Sequence, residues 1–231
     1  IANHPHLTRL LIDAGARPTD SETVYHTAEF ADTTCLALIL PHAGQDDIDY
    51  CLARALDFEH PDAALLFVKH GANVDRQVSW FNNQTHLMKA IAEHCDIGLI
   101  EAMIAQSRHL DRVDDQGLTA FRYAVRFGNA AAARLLRTAG ASTEGVSALD
   151  RFGDACMTGQ ADQAASIAAA APEVVRVIDP RLMEKAVRQD NHRALRLFVA
   201  NGIPVDSNAD MPPLHNACFW GHHDTAKVLV E

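Results

Sequence analysis

The segment 65–72 reads LLFVKHGA, an aliphatic run that closes on glycine and a small residue. Three further segments follow the same pattern: LLIDAGA (10–16), LLRTAGA (135–141) and LFVANGI (197–203). The four glycines lie 56, 69 and 62 residues apart, which is about twice a period of roughly 30 residues. Glycine directly after an apolar run is typical of a helix end. A fixed period with one helix end per period predicts a chain of stacked structural repeats.

Weaker copies of the pattern fill the gaps between the four clear ones. Each is an apolar run that ends in a helix breaker or a poor helix former, as the end of a helix requires. These copies are LALILPHAGQ (36–45), LIEAMIAQSRHLD (99–111) and AASIAAAAPEV (164–174). With them included, an apolar helix ends in every period along the chain.

The residues that precede these helices also repeat. Residues 212–222 read PPLHNACFWGH, and residues 115–129 read DQGLTAFRYAVRFGN. Both resemble the core pattern T-P-L-H-x-A-A-x-x-G-H of the ankyrin-repeat family. Weaker copies in the same register begin at Thr85, Leu182, Tyr25, Leu52 and Phe152. The resemblance covers nearly the whole chain, and it implies an all-α solenoid of stacked helix-turn-helix units with short finger turns that resemble β-hairpins.

Single positions of the repeat support this interpretation on physical grounds. Thr85 and Thr119 stand where a hydroxyl caps the first N–H groups of a helix, and Pro213 stands in a first turn, where a helix accepts proline. One position of the first helix is always small, and its residues are Ala28, Ala55, Ala90, Ala124, Ala155, Ala186 and Ala217. A larger side chain there would overpack the contact with the neighbouring repeat.

The histidine of the family pattern is not kept throughout. It is replaced by Met88, Arg122, Gly153 and Glu184. We therefore expect the hydrogen bonds that usually join neighbouring turns to be partly lost or replaced.

We interpret residues 1–231 as a single ankyrin-repeat domain. The predicted units are a half repeat at 1–20, repeats at about 21–46, 47–78, 79–113, 114–145, 146–178 and 179–207, and a truncated repeat at 208–231. The half repeat starts at its second helix, and the last unit stops before its terminal turn. We therefore expect the chain to be a segment of a longer protein.

Composition disfavours several classes of function. The chain of 231 residues carries 30 acidic and 20 basic residues, for a net charge of −10. Its arginines are scattered, whereas a nucleic-acid groove needs clustered Lys and Arg, so we expect no nucleic-acid partner. No apolar run is long enough to span a bilayer, and we expect no membrane partner. The acidic balance favours a basic or mixed protein partner, and we expect a monomer.

The cysteines indicate a reducing compartment. The chain has five of them, at Cys35, Cys51, Cys95, Cys156 and Cys218. A disulfide scaffold shows even counts at dense spacing, so we interpret these residues as small buried hydrophobic side chains. The expected location is the cytoplasm, and the alternative is a secreted bacterial effector that acts inside a host cell.

The histidines and carboxylates form no recognisable chemical motif. There are thirteen histidines, including His86, His94 beside Cys95, and His222 beside His223, but zinc needs four converging ligands at loop-compatible spacings. The acidic run 46–49 lacks the glycine and distal glutamate of a calcium loop, and we interpret it as a solvated turn. No phosphate-binding loop or nucleophile with a neighbouring base is recognisable. We expect no enzyme activity, no metal and no cofactor.

One pattern goes beyond the fold. In ankyrin repeats the partner typically lies along a concave surface made by the finger turns and the two residues after the paired small positions of each first helix. Here those positions are rich in aromatic residues and arginine, which are enriched at binding hot spots. The candidate partner-binding residues are Phe30, Asp57, Phe58, Trp80, Phe81, Glu93, Arg126, Phe127, Met157, Arg188, Gln189, Phe219 and Trp220. Trp80 and Phe81 belong to a lengthened finger at 74–84.

The predicted function is that of a scaffold that binds a partner protein along its concave face. One alternative is a regulatory or substrate-recruiting segment of a larger enzyme or effector whose catalytic domain lies outside these residues. A second alternative is purely architectural, with the aromatic side chains packed against neighbouring repeats.

Overall fold

The computed structural model describes residues 3–18, 20, 22–79, 82–205 and 212–230. Over these residues it contains sixteen α-helices and a single two-stranded hairpin, which confirms the predicted all-α class with a hairpin-like finger. None of the described helices is both long and apolar enough to cross a membrane. The chain divides into two compact units, which we describe separately.

Unit 1 consists of residues 1–121 and 134–142. Its helices are α1 (Pro5–Asp13), α2 (Glu22–Thr27), α3 (Thr34–Ile39), α4 (Gln45–Asp57), α5 (Pro61–Lys69), α6 (His86–Ala92) and α7 (Ile97–Gln106). A short 3₁₀ turn (Leu40–His42) extends α3, and strands β1 (Gln77–Val78) and β2 (Gln84–Thr85) form the hairpin. Two further helices, α8 (Ala120–Arg126) and α9 (Ala130–Thr138), contribute residues to both units.

Unit 2 consists of residues 122–133 and 143–231. Its own helices are α10 (Ala148–Met157), α11 (Ala161–Ala170), α12 (Glu173–Arg176), α13 (Pro180–Arg188), α14 (His192–Ala200), α15 (Pro213–Phe219) and α16 (His223–Val230). The one-turn helix α12 lies in the connection between α11 and α13.

The helices pack as repeated pairs. In unit 1, α4 packs on α5 and α6 on α7; in unit 2, α10 packs on α11, α13 on α14 and α15 on α16. First helices also pack on the next first helix, as α2 does on α4 and α13 on α15. The predicted repeat at 114–145 contains α8 and α9, and the half repeat at 1–20 contains α1. The exact repeat boundaries stay a prediction; the predicted boundary at 46/47 lies inside α4, which begins at Gln45.

The second helices end at the glycines of the repeating pattern. Gly71, just beyond α5, has a φ of +82°, in the left-handed region that favours glycine. Its N–H donates to the Val68 carbonyl at 3.0 Å, and the Ala72 N–H donates to the Phe67 carbonyl at 3.0 Å, which is a Schellman motif. The same two hydrogen bonds recur at Gly15, Gly140 and Gly202. The sequence pattern is therefore a requirement of the backbone.

The small position of the first helix is buried in every unit. The side chains of Ala28, Ala55, Ala90, Ala124, Ala155, Ala186 and Ala217 are all 0% exposed. Helix α10 approaches α8 still more closely at Gly153. A Cβ atom added to Gly153 would collide with the carbonyl oxygen of Arg126, the last residue of α8. That contact explains why glycine replaces the histidine of the family pattern at this position.

Helix capping follows the sequence in two of three predicted places. The Thr85 Oγ1 accepts a hydrogen bond from the Met88 N–H at 3.1 Å at the start of α6, and Pro213 lies in the first turn of α15. Both predictions are confirmed. Thr119 directly precedes α8, and its capping role stays a prediction.

The acidic run 46–49 is not a turn, contrary to our expectation. It lies inside α4, where Asp46 and Asp47 occupy the first helical turn, and carboxylates there stabilise the positive end of the helix dipole. Asp49 Oδ1 accepts hydrogen bonds from the Asn73 N–H at 2.8 Å and from Gln45 Nε2 at 2.7 Å. The run therefore lies in the first turns of a helix and joins that helix to the next turn.

The cysteines are all free, but they are not all buried. Cys35, Cys51 and Cys156 are buried, Cys95 is half-buried and Cys218 is exposed. The expectation of five buried residues is therefore wrong for Cys218, which lies on the last described first helix. Burial raises the pKa of the Cys51 and Cys156 thiols to about 12, so neither forms a reactive thiolate at neutral pH.

A buried histidine directly follows the hairpin in the chain. His86 starts α6 with 0% exposure, its Nδ1 lies 3.2 Å from the Asn73 carbonyl oxygen, and its Nε2 has no hydrogen-bond partner among the described residues. Burial lowers the pKa of His86 to about 4; the hydrogen bond to Asn73 opposes this shift, while the charges of Arg76 and Lys89 add to it. The folded chain therefore holds the neutral imidazole.

This burial predicts an acid-sensitive stability. Because the pKa of His86 is lower in the folded chain, its stabilising contribution is present above pH 6.5 and is lost as the pH falls towards about 4. Between pH 7 and pH 4.5 the wild type should lose about 2–3 kcal/mol of unfolding free energy more than His86→Leu does. Urea unfolding of both proteins at several pH values measures the difference, and parallel pH profiles would contradict it.

The small first-helix position predicts a steric cost. Ala186→Leu should lower the unfolding free energy by about 1–3 kcal/mol, because leucine cannot fit at the buried contact. Ala200→Leu, at an exposed position of α14, is the matched control and should change stability by less than about 0.5 kcal/mol. Denaturant titrations compare the two, and equal stabilities would show that the contact tolerates larger side chains.

Candidate functional site

The predicted partner-binding residues divide by exposure. Three aromatic residues lie at the surface: Phe58 (41% exposed), Phe219 (68%) and Trp220 (48%). Gln189 is also exposed, whereas Phe30, Asp57, Glu93 and Arg188 are half-buried. Trp80 and Phe81 lie outside the described residues. Whether any of them binds a partner stays a prediction.

Three of the predicted residues lie in the interior instead. Arg126, Phe127 and Met157 are buried, so the expectation that they face a partner is wrong on accessibility alone. The Phe127 ring stacks on Tyr123 with centroids 5.9 Å apart, and Arg126 is ion-paired with Asp150. Neighbouring side chains of unit 2 therefore occupy the contacts that a partner would need.

In unit 1, an arginine lies between aromatic rings. The guanidinium carbon of Arg54 lies 4.6 Å from the ring centroid of Tyr25 and 4.4 Å from that of Phe58, and Tyr25 stacks on Tyr50 at 6.2 Å. We call Tyr25, Tyr50, Arg54 and Phe58 the Arg54 surface. Tyr50 and Phe58 are exposed, so this surface presents aromatic rings to the solvent.

The charge of Arg54 is balanced by Glu29. Arg54 Nη2 lies 2.6 Å and Nε 3.0 Å from Glu29 Oε1. Burial would raise the pKa of Glu29, but the hydrogen bonds from Arg54 and His26 hold it below its usual value. Next to this group, Lys89 Nζ pairs with Asp57 Oδ1 at 2.8 Å. The predicted residue Asp57 is therefore already engaged in an ion pair.

Sequence reasoning missed Tyr25, Tyr50 and Arg54. For Tyr50 and Arg54 the signal is helical spacing, because Tyr50, Arg54 and Phe58 stand four residues apart along α4 and its end and therefore share one face. The repeat pattern drew attention only to the two positions at the helix end.

In unit 2, the exposed aromatic residues lie at the end of α15. The rings of Phe219 and Trp220 meet edge to face with centroids 5.2 Å apart, and the guanidinium carbon of Arg188 lies 5.6 Å from the Trp220 ring. We call Arg188, Phe219 and Trp220 the Trp220 surface. It joins the end of α13 to the end of α15, so two successive first helices contribute to it.

Unit 2 also contains a buried network of charges. Asp150, fully buried, accepts hydrogen bonds from Arg122 Nε at 2.8 Å and from Arg126 Nε at 2.7 Å. Burial alone would raise the pKa of Asp150, but the hydrogen bonds from the Ser147 N–H and Arg122, together with the charge of Arg126, lower it. Arg122 occupies the place of the family histidine, so this ion pair replaces the hydrogen bond expected there.

A second ion pair extends this network. Arg181 binds Asp179 with two hydrogen bonds, of 2.9 Å from Nε and 2.7 Å from Nη2, and Nη2 lies 3.2 Å from the Tyr123 hydroxyl. Arg126 lies 4.0 Å from Asp179, which connects the two pairs. Since most of these groups are buried and paired, the network is suited to fixing the packing of unit 2.

The described residues show no metal-binding cluster. No group of three or more His, Cys, Asp or Glu side chains in the described ranges is arranged to hold a metal ion. Each unit exposes aromatic rings next to a guanidinium group, an arrangement suited to contact with another protein.

Comparison with known proteins supports the repeat architecture. A family model described as "Ankyrin repeats (3 copies)" matches residues 52–145, and a second, "Ankyrin repeats (many copies)", matches residues 183–230. No curated protein matches the chain. Among solved structures, an ankyrin repeat domain from Acinetobacter baumannii is similar, with 16% identity and a TM-score of 0.51, over 91% of this chain and 97% of that one. This likeness supports the fold alone.

The buried network predicts a large loss of stability on neutralisation. Asp150→Asn should lower the unfolding free energy by about 3 kcal/mol, because it leaves the buried charge of Arg126 without its closest partner. The control is Asp162→Asn, an exposed residue in the first turn of α11, which should cost less than about 1 kcal/mol. Urea unfolding measures both, and equal costs would mean that the network contributes little.

Proposed function

Because the chain belongs to the ankyrin-repeat family, we propose that it is a scaffold that binds a partner protein through the exposed side of its first helices. Ankyrin repeats are generally protein–protein interaction modules. The observation that carries the proposal is the exposure of aromatic rings next to guanidinium groups on the Arg54 surface of unit 1 and the Trp220 surface of unit 2.

These residue types are suited to a binding hot spot. Aromatic side chains bury a large area with few rotatable bonds, and arginine adds directional hydrogen bonds. Phe219 and Trp220 are more than a third exposed in the free chain, although burial of each aromatic ring would lower the free energy. A partner that covers them supplies that gain.

The partner is proposed to be a protein with basic or mixed charge. The chain carries a net charge of −10, so its surface has an excess of negative charge. Such a surface repels nucleic acid and attracts basic segments. We further propose a monomer in a reducing compartment, in keeping with five free cysteines.

The proposal is tested by comparing what two variants capture. The chain would be immobilised as wild type, as the double variant Phe219→Ser/Trp220→Ser, and as the control Val177→Ser, which changes an exposed apolar residue elsewhere in unit 2. A true partner should be retained by the wild type and the control and lost by the double variant. With the purified partner, calorimetry should give a loss of about 1–4 kcal/mol for Trp220→Ala alone.

Phe58→Ala with the control Val113→Ser repeats the comparison for unit 1, where Val113 is an exposed apolar residue. The scaffold proposal fails if no protein is captured in a way that depends on these aromatic residues. Circular dichroism of each variant confirms that lost capture does not reflect lost folding.

A further inference from the structure

A small cavity lies between helix α4 and the hairpin of unit 1. It has a volume of about 130 Å³, and its lining residues are Tyr50, Arg76, Gln77, Val78, Ser79 and His86. They belong to α4, to β1 with the residue on either side of it, and to the start of α6. Two neighbouring repeats, well inside the chain, therefore form the walls of this cavity.

The lining residues range from exposed to completely buried. Tyr50, Gln77 and Ser79 are exposed, Arg76 is half-buried, and His86 is 0% exposed. The mouth of the cavity therefore lies at the exposed residues, and its inner end lies at His86.

The inner end carries a hydrogen-bond acceptor that the chain does not use. The Asn73 carbonyl oxygen, 3.2 Å from His86 Nδ1, can only accept, so Nδ1 carries the proton of the neutral ring. Nε2 is then an acceptor, and no described residue donates to it. A buried polar atom without a partner is costly, and a ligand that donates a hydrogen bond to Nε2 would remove this cost.

Arg76 supplies hydrogen-bond donors to the same cavity. Its side chain donates from Nη1 to the Asp46 carbonyl at 3.3 Å, which uses one of the several N–H groups of the guanidinium. The guanidinium carbon lies 5.9 Å from the centroid of the Tyr50 ring, so the donors lie next to an aromatic wall. A matching ligand therefore accepts a hydrogen bond from Arg76 and donates one to His86.

The rim of the cavity is held in place by the fold. Strand β1 pairs with β2, with Val78 opposite Gln84. The Gln77 side chain donates from Nε2 to the Asn83 carbonyl at 2.8 Å and to the Val113 carbonyl at 3.0 Å. Because these contacts exist in the free chain, a ligand does not have to order the rim, and the entropic cost of binding is lower.

The size of the cavity limits its ligand to a single side chain. Pockets for small molecules measure roughly 300–1,000 Å³, and one water takes up about 30 Å³. A cavity of 130 Å³ therefore has room for about four or five non-hydrogen atoms. The side chain of glutamine has this size.

Hydrogen-bonding chemistry favours a carboxamide over the other polar side chains. A carboxamide carries a donor NH₂ group and a separate acceptor oxygen. A carboxylate has no proton to donate to His86 Nε2, and the guanidinium of Arg76 repels an ammonium group. A hydroxyl group can donate and accept, but it would leave much of the cavity unfilled.

We propose that this cavity is a specificity pocket for a glutamine side chain of the partner protein. The NH₂ group of the glutamine donates to His86 Nε2, its oxygen accepts from Arg76, and its amide plane lies against the Tyr50 ring. This inference rests on the proposed function, because Tyr50 also belongs to the Arg54 surface. A partner bound to that surface therefore reaches the mouth of the cavity.

The probe is N-acetylglutamine methylamide, and its methionine and glutamate counterparts are the matched controls. They have nearly the same length, but at neutral pH their side chains cannot donate a hydrogen bond. Each would be titrated into the ¹⁵N-labelled chain, and NMR would follow the amides of Gln77 and Ser79 and the Nε2 resonance of His86. We expect saturable shifts at all three with the glutamine probe, with a dissociation constant in the millimolar range. The two controls should bind about tenfold more weakly or worse.

Variants of the chain identify the groups that bind the probe. His86→Leu removes the acceptor and Arg76→Met removes the donors, and each should weaken binding of the glutamine probe about tenfold or more. Arg76→Met keeps the test decisive should His86→Leu disturb folding. The controls are His42→Leu, at an exposed histidine of unit 1, and Phe58→Ala, which should leave binding within about twofold of wild type.

Three results would overturn the pocket proposal. The first is the absence of a saturable shift with the glutamine probe, which would mean that the cavity takes up water only. The second is equal binding of the glutamine and methionine probes. The third is binding of free propionamide without binding of the glutamine probe, because the cavity would then admit small amides but not a side chain attached to a backbone. Failure of the scaffold proposal is distinguishable, because it removes aromatic-dependent capture and leaves probe binding intact.

Discussion

The close approach of successive first helices is the constraint on which the rest of the structure depends. It admits alanine alone at one position of each first helix, and at α10 it admits only glycine at a second. An alanine contact has no polar atoms, so the polar links between repeats lie beside it, some of them in the turns. Asp75 shows this, because its carboxylate accepts hydrogen bonds from the Ser107 hydroxyl at 2.6 Å and the Arg108 N–H at 2.8 Å.

Where the family histidine is missing, other groups supply such links. In α8 the substitute is Arg122, whose partner Asp150 lies in the next first helix and also caps that helix with Ser147. A buried ion pair contributes little net stability over apolar packing, but breaking it is costly. The network therefore sets the packing of α8 against α10, and the departure from the family pattern has a structural cause.

Features that the backbone geometry requires were predicted correctly from the sequence. The exposure of single side chains was not, because it depends on which neighbouring side chains pack against them. The buried alanines follow from local geometry and recur in every repeat, and the helix-ending glycines recur at Gly15, Gly71, Gly140 and Gly202. Phe58 and Phe127 occupy the same repeat position, yet Phe58 is exposed and Phe127 is buried. The difference comes from Tyr123 and Arg181, which lie against the Phe127 ring. Arg181 is distant from Phe127 in sequence, and the repeat pattern does not reveal that contact.

The same contrast separates an interior role from a surface position within one place of the repeat. The Phe127 ring is used in the interior and stabilises unit 2, whereas the Phe58 ring lies over Arg54 at the surface of unit 1. Because Glu29 and two aromatic rings hold the Arg54 guanidinium, that side chain loses its rotamer freedom on folding and not on association. Preorganisation of this kind lowers the entropic cost of binding. Contacts within the fold that already hold an aromatic surface rigid therefore favour binding, because less side-chain entropy is lost on association.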